Sequence, residues 1–218
     1  VFKDFYYTQG IHLYYSNPAL RKNPVNHVLM RLNNADNYFG LGLIQEIFTP
    51  KDIHDSLLNV VDRPYAGTLF IRSFLVSSNP GKKLRLTSQL DLGILGPLAG
   101  AKQAQKYIHE LLNLGFPMGW DFQIDNRPYI NYNLRIEKGI ISIPQIFDFI
   151  GSSRLRVGNI HDNFQLGANI RIGRLNDSFK ALNIANKKYS ENRDFQFFLF
   201  GGATATGILY NATLMGGI

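Results

Sequence analysis

The chain has 218 residues, no cysteine, 16 Phe, 11 Tyr and a net charge of +7. That length suits one large β domain, and the lack of cysteine excludes a disulfide framework and any thiolate metal site. No apolar run approaches the roughly 20 residues of a transmembrane helix. The basic residues are scattered, which fits plain solubility or attraction to an anionic partner. With no basic helix, zinc spacing or aromatic RNA-binding signature, nothing points to nucleic acid.

Residues 8–16 read as a first strand, followed by a polar loop carrying Asn17-Pro18 and Asn23-Pro24. Residues 38–48 form a second, ended by Thr49-Pro50, and a polar loop leads to a third at 65–78. Asn79-Pro80-Gly81 is a tight turn of the kind that joins antiparallel neighbours. In the fourth strand, 83–93, Leu84, Leu86, Leu90 and Leu92 alternate with Lys83, Arg85, Thr87, Gln89 and Asp91. The same alternation recurs at 128–138 and 163–173, with further strands at 147–158, 195–205 and 208–218.

A soluble sandwich strand alternates too, with its polar face in water. Here segments of about ten residues share one uniformly apolar face and one face with charges of both signs, the pattern of a transmembrane β-barrel. Short turns at 79–81 and 159–162 against long loops at 17–36, 49–64 and 174–193 predict short connections on one rim and long ones on the other. Bacterial single-chain barrels have even strand numbers. About nine visible strands therefore predict further strands beyond one or both ends of this sequence, within a single domain over 1–218.

One stretch departs from the strand pattern. From Gly96 to Trp120 the sequence reads GPLAGAKQAQKYIHELLNLGFPMGW. Pro97 suits a first helical turn, and Gly115 with Pro117 ends the run. The spacing predicts a helix over 98–113 with Ala101, Ala104, Ile108, Leu111 and Leu112 as its buried stripe. Gln105 and His109, four apart, project beside that stripe, which marks the helix as a candidate active-site wall.

Three motifs together resemble one family, the outer-membrane lipid A 3′-O-deacylases (LpxR). They are D-x-x-Y-T-x-G at Asp4, Tyr7, Thr8 and Gly10; Asp62-Arg63-Pro64-Tyr65-Ala66-Gly67; and Gly96-Pro97, Gly100, Gln105 and His109, ending in Gly119-Trp120-Asp121. The resemblance covers nearly the whole chain. It implies an outer-membrane, antiparallel all-β barrel of about twelve strands, with one extracellular-loop helix lying on the barrel wall; one strand would precede Val1 and two would follow Ile218.

It also implies calcium-dependent hydrolysis of the ester that holds the acyloxyacyl chain at the 3′ position of lipid A. On that match His109 is the general base, a role suited to an imidazole near neutral pH. Gln105 orients water or substrate, and Thr8 orders the site from the wall facing the helix. Arg63 and Lys51, near the rim, are expected to contact sugar acids or phosphates. Calcium suits hard oxygen ligands and a developing oxyanion, but the metal ligands are unknown. The family's Asn-Asp pair falls upstream of Val1, and its glutamate six residues after the histidine corresponds to Gly115. The expected partners are lipid A or lipopolysaccharide and outer-membrane lipids.

Plainer readings stand beside these. A non-catalytic relative serving as a structural subunit of an envelope complex is the main alternative, and a passive pore a further one. His12, His27, His54 and His161 lack metal-ligand spacing, and the absence of a G-x-S-x-G elbow argues against a serine lipase. Asp62 and Arg63 fit a structural pair at a strand entrance. Lumenal Arg85, Arg135, Arg171, Glu137 and Asp91 could neutralise one another.

Overall fold

A computed structural model of the chain describes residues 6–53, 62–115, 117–180 and 195–215. Asp4 of the first motif and His54 lie outside the described residues. The strands are β1 (Gln9–Ser16), β2 (Asp36–Phe48), β3 (Ala66–Asn79), β4 (Leu84–Leu95), β5 (Arg127–Ile143), β6 (Phe147–Gly158), β7 (His161–Arg174) and β8 (Phe197–Asn211). Each pairs antiparallel with the next in one sheet ordered as in sequence. The connection between β4 and β5 carries helix α1 (Ala101–Leu111), and a short α2 (Ala212–Met215) follows β8.

The described strands number eight, not nine. The segments expected at 195–205 and 208–218 meet in the single strand β8, which ends at Asn211, because Gly207 stays paired with Phe164 and the ladder continues past it; residues 216–218 lie outside the described residues. A register shift opposite Asp162 and Asn163 absorbs one residue near the end, as a bulge does. Ala212–Met215 is helical instead of extended.

Antiparallel connections alternate between rims, and the expected split into a short-turn rim and a long-loop rim is not what the structure has. The long connection after β1 shares a rim with the short turn after β3, whereas α1 shares the other with the turn Asn159–Ile160 between β6 and β7. Length follows what each connection covers. Residues 17–35 strap the outer wall of the sheet. There the Ser77 and Tyr132 hydroxyls accept from the backbone N–H groups of Leu32 and Met30, and Ser88 donates to Met30 O. Leu29 packs with Phe39 and Leu75. Those outward hydroxyls would otherwise face hydrocarbon unpaired, at a cost of several kcal/mol each.

The sheet is curled. Ala212, after the last strand, packs with Ile44 of β2, Phe70 of β3, Tyr129 of β5 and Ile160 on the concave face, which plugs the helix-bearing end. Phe70 and Tyr129 stack with centroids 4.4 Å apart.

Beyond the plug the concave face is charged and largely paired. Arg72 grips Asp91 with both oxygens, Nε–Oδ1 2.7 Å and Nη2–Oδ2 2.8 Å. Asn133 donates to Asp91 Oδ2 at 2.9 Å. Glu137 sits 3.6 Å from Arg85 and 3.1 Å from Arg135, and Arg171 pairs with Asp148. Of the five charges expected to neutralise one another, Glu137 does so with Arg85 and Arg135, whereas Asp91 pairs with Arg72 and Arg171 with Asp148, neither of which belongs to that set.

Asp91 is 1% exposed, so Asp91→Ala leaves a buried guanidinium without its anion. We expect it to destabilise the barrel by about 3–5 kcal/mol, and the double change Arg72→Met with Asp91→Leu to recover most of that. Urea midpoints of the heat-modifiable band on gels check both.

Candidate active site

Helix α1 forms differently from the expected single run over 98–113. Pro97–Ala99 is a 3-10 turn, and Gly100, at φ +70°, separates it from Ala101–Leu111. A left-handed residue is strained for anything but glycine, so Gly100 is where the chain bends onto the wall. At the other end Asn113, at φ +52°, closes the helix. Leu114 N–H bonds His109 O at 2.8 Å and Asn113 N–H bonds Glu110 O at 3.3 Å, the two bonds of a Schellman cap. The cap folds Gly115 back over the last turn. Asn113→Gly should be neutral or slightly stabilising, whereas Asn113→Val should fray this end by about 1 kcal/mol or more. The measurement is protease sensitivity of the 110–118 segment.

The helix lies on the outer wall of β2 and β3. Gln45 Nε2 donates to Ala99 O at 2.7 Å. A cluster of Ile47, Tyr65, Ala101 and Trp120, with Ala104 beside it, forms the seat. At Gly67 an added Cβ would stand 2.3 Å from Ala101 Cβ, so the glycine sets how closely helix and sheet approach.

Of the expected apolar stripe only Ala101, with Ala104 beside it, packs on the wall. Ala101, Gln105 and His109 are the helix's buried residues, while Leu111 and Leu112 are 69% and 59% exposed. The polar pair is therefore the packed face, not its neighbour. Solvent explains the inversion: against an apolar exterior, Gln105 and His109 need partners that only protein supplies, and leucines do not.

His109 is 3% exposed, and its Nδ1 lies 2.6 Å from Gly115 O. A carbonyl only accepts, so Nδ1 carries the proton and the lone pair of the neutral ring is on Nε2. Gly115, in place of the glutamate expected there, thus orients the imidazole through its backbone. Gln105 Oε1 accepts from Trp120 Nε1–H at 2.7 Å. The indole can only donate, which turns the amide NH2 the other way. That Gln105 Nε2 is buried without a hydrogen-bond partner.

Trp120 was not singled out in the sequence as a site residue, yet it orients Gln105 and packs on Tyr65 with centroids 4.8 Å apart. Its one signal was membership of the third motif. On the same returning segment Asp121 pairs with Lys102 at 2.6 Å. That bond holds the Asp121 carboxyl below its ordinary value, so the pair persists at neutral pH and opens only as pH falls through the depressed value.

The second motif builds the surroundings. Asp62 accepts from the backbone N–H groups of Lys51 and Arg63, both at 2.7 Å. Arg63 Nη1 donates to Tyr6 O at 2.8 Å, and its Nη2 reaches Thr213 O and Oγ1, both at 3.2 Å. Arg63 thus ties the chain before β1 to the chain after β8. Burial lowers its pKa, partly offset by Asp62. Lys51 lies exposed at the same rim. Thr8 bonds β2 through its N–H to Ile47 O at 3.0 Å and shares a 2.5 Å hydroxyl contact with Thr49. Gln105, His109 and Trp120 are brought together, while Thr8, Lys51 and Arg63 belong to the adjoining rim.

Among the described residues the donor set does not by itself make a calcium cage. Among the described residues no three His, Asp or Glu side chains gather to hold a metal. Gln105 Oε1 is committed to Trp120 and Gly115 O to His109.

A curled antiparallel sheet with an apolar exterior, a charged interior and a helix seated on its outer wall defines a membrane β-barrel with a candidate site on its outside. None of the described helices is long and apolar enough to cross a membrane. The chain belongs to the family described as outer membrane protein LpxR, whose model matches residues 1–218, and its place is the bacterial outer membrane. Its fold is similar to that of LpxR from Salmonella typhimurium, with a TM-score of 0.77 and 20% sequence identity over 98% of this chain and 70% of that one. No curated protein matches.

Proposed function

We propose that the protein hydrolyses the ester of the 3′-linked acyloxyacyl chain of lipid A, with His109 as general base. The observation that carries this reading is the buried pair on α1. His109 has its tautomer set by Gly115 O, and one turn away Gln105 has its carbonyl held by Trp120 and its NH2 unpartnered. A buried amide donor without a partner calls for an explanation, and a substrate oxygen supplies one.

In this mechanism His109 Nε2 takes a proton from water, whose oxygen attacks the ester carbonyl. Gln105 Nε2–H donates to the developing oxyanion. The imidazolium then returns the proton to the departing sugar oxygen, leaving a free 3′ hydroxyl and a fatty acid. An approach for the acyl chain exists on the same wall. A hollow of about 370 Å³ is lined by Leu13, Tyr15, Leu41, Leu43 and Ile71, next to Gln45, on which the helix rests. Arg63 and Lys51 would meet the phosphorylated sugars at the rim, and Thr8 would order it.

Calcium enters through the family resemblance alone, and no step here is routed through it. The experiment is mass spectrometry of lipid A from cells expressing the protein, with and without chelation. Loss of the 3′ acyloxyacyl mass supports the activity, and its dependence on calcium supports the metal. Unchanged lipid A with folded protein in the outer membrane would sink the reading.

A further inference from the structure

We infer that one flank of α1 faces the acyl chains of the bilayer, so that the helix completes the lipid-facing belt of the barrel over β2 and β3. The inference rests on the outer-membrane fold, not on the hydrolase reading.

The height of the bare wall motivates it. On β7 the outward residues Phe164, Leu166, Ile170 and Ile172 are all about half exposed, spanning about 27 Å at 3.3–3.4 Å per residue. A lipid-facing band is about 25 Å tall. On β2 the strap covers Phe39 and the helix covers Ile47. Between them Leu41 and Leu43 leave about 7 Å of wall. The belt over this sector must therefore be finished by the segments that cover it.

The helix has the surface to do so. Tyr107 and Leu111, four apart, are 67% and 69% exposed and share a flank with Ala104 and Ile108. Gln103, Lys106 and Glu110, also exposed, occupy the other. The rotation about the axis is fixed on the polar side. Lys102 holds Asp121 and Gln105 holds Trp120, both on the segment that returns to the rim beside Tyr65, whose carbonyl accepts from Ile124 N–H. The apolar flank therefore points the opposite way, along the wall toward the exposed outward residues Leu43 and Ile71. Its place on the same outer wall of an outer-membrane barrel commits the occupant to bilayer hydrocarbon.

The chain has no cysteine, so single cysteines report alone. Tyr107→Cys, Leu111→Cys, Gln103→Cys and Glu110→Cys would each carry a nitroxide in the full protein reconstituted in phosphatidylcholine vesicles, with Leu43→Cys as the wall reference. Collision with oxygen and with a water-soluble nickel complex would be compared. The expected oxygen-to-nickel ratio at 107 and 111 matches that at 43 and exceeds that at 103 and 110 several-fold. Equal ratios on the two flanks would overturn the inference. So would exclusion of both reagents at 107 and 111, which would mean that protein covers the flank. A lipid A assay that fails while the ratios hold would remove the enzyme reading and leave this one.

Discussion

His109→Ala is expected to cut release of the 3′ acyloxyacyl chain by about 10²–10⁴-fold, the contribution of a positioned general base. The barrel should survive, because His109 packs on the outer wall and contributes nothing to the Arg72–Asp91 network or to the Ile44–Phe70–Tyr129 plug. The readout is the time course of lipid A masses at matched amounts of folded protein, judged by the heat-modifiable band. Gln105→Ala should cost less, about 10²-fold, the scale of one oxyanion donor. Its loss should fall on kcat more than on KM, because that bond strengthens only as charge develops. Equal activity of His109→Ala and the unmodified protein would remove the mechanism.

Gly67→Leu should have the second large effect, without touching any reacting group. The 2.3 Å approach of a bare Cβ to Ala101 leaves no room for a side chain, so the helix must lift from β3. Displacement of a catalytic group by about 1 Å can cost about 10²-fold, and a leucine here forces more. Gly67 shares the outward face with Gln45 and Ile47 by register, so the interior and the unfolding midpoint should change little. Activity should fall nearly as far as in His109→Ala, with Lys102 and Lys106 becoming sensitive to trypsin. Ala101→Gly should partly rescue the milder Gly67→Ala. Full activity in Gly67→Leu would show that the seat is not needed.

Both predictions lean on residues that carried very different signals in the sequence. His109 and Gln105 stood out because they sit four apart on a helix in an otherwise extended chain. Gly67 was visible as a motif letter, and the reason for it is the approach of Ala101, which no local pattern encodes. The sequence shows Arg63 as a cation near the rim, but not that its guanidinium joins Tyr6 to Thr213. A long side chain announces its charge, but its partners depend on which chain ends the fold brings together.

The sequence by itself determined the strand alternation, and with it the antiparallel sheet, its apolar exterior and its charged interior. It also placed one interrupting helix between β4 and β5. Period two and period 3.6 are local properties, so they survive without knowledge of the fold. It did not determine which face of that helix is packed, since a stripe of leucines is buried by protein in water but can stay exposed to lipid. It did not resolve the continuity of β8 through Gly207, because glycine breaks or continues a strand according to its neighbour, and here β7 supplies one. Nor could it show that Gly115 orients His109 through its carbonyl. A backbone oxygen has no letter in the sequence, and only the turn at Asn113 brings it to the imidazole.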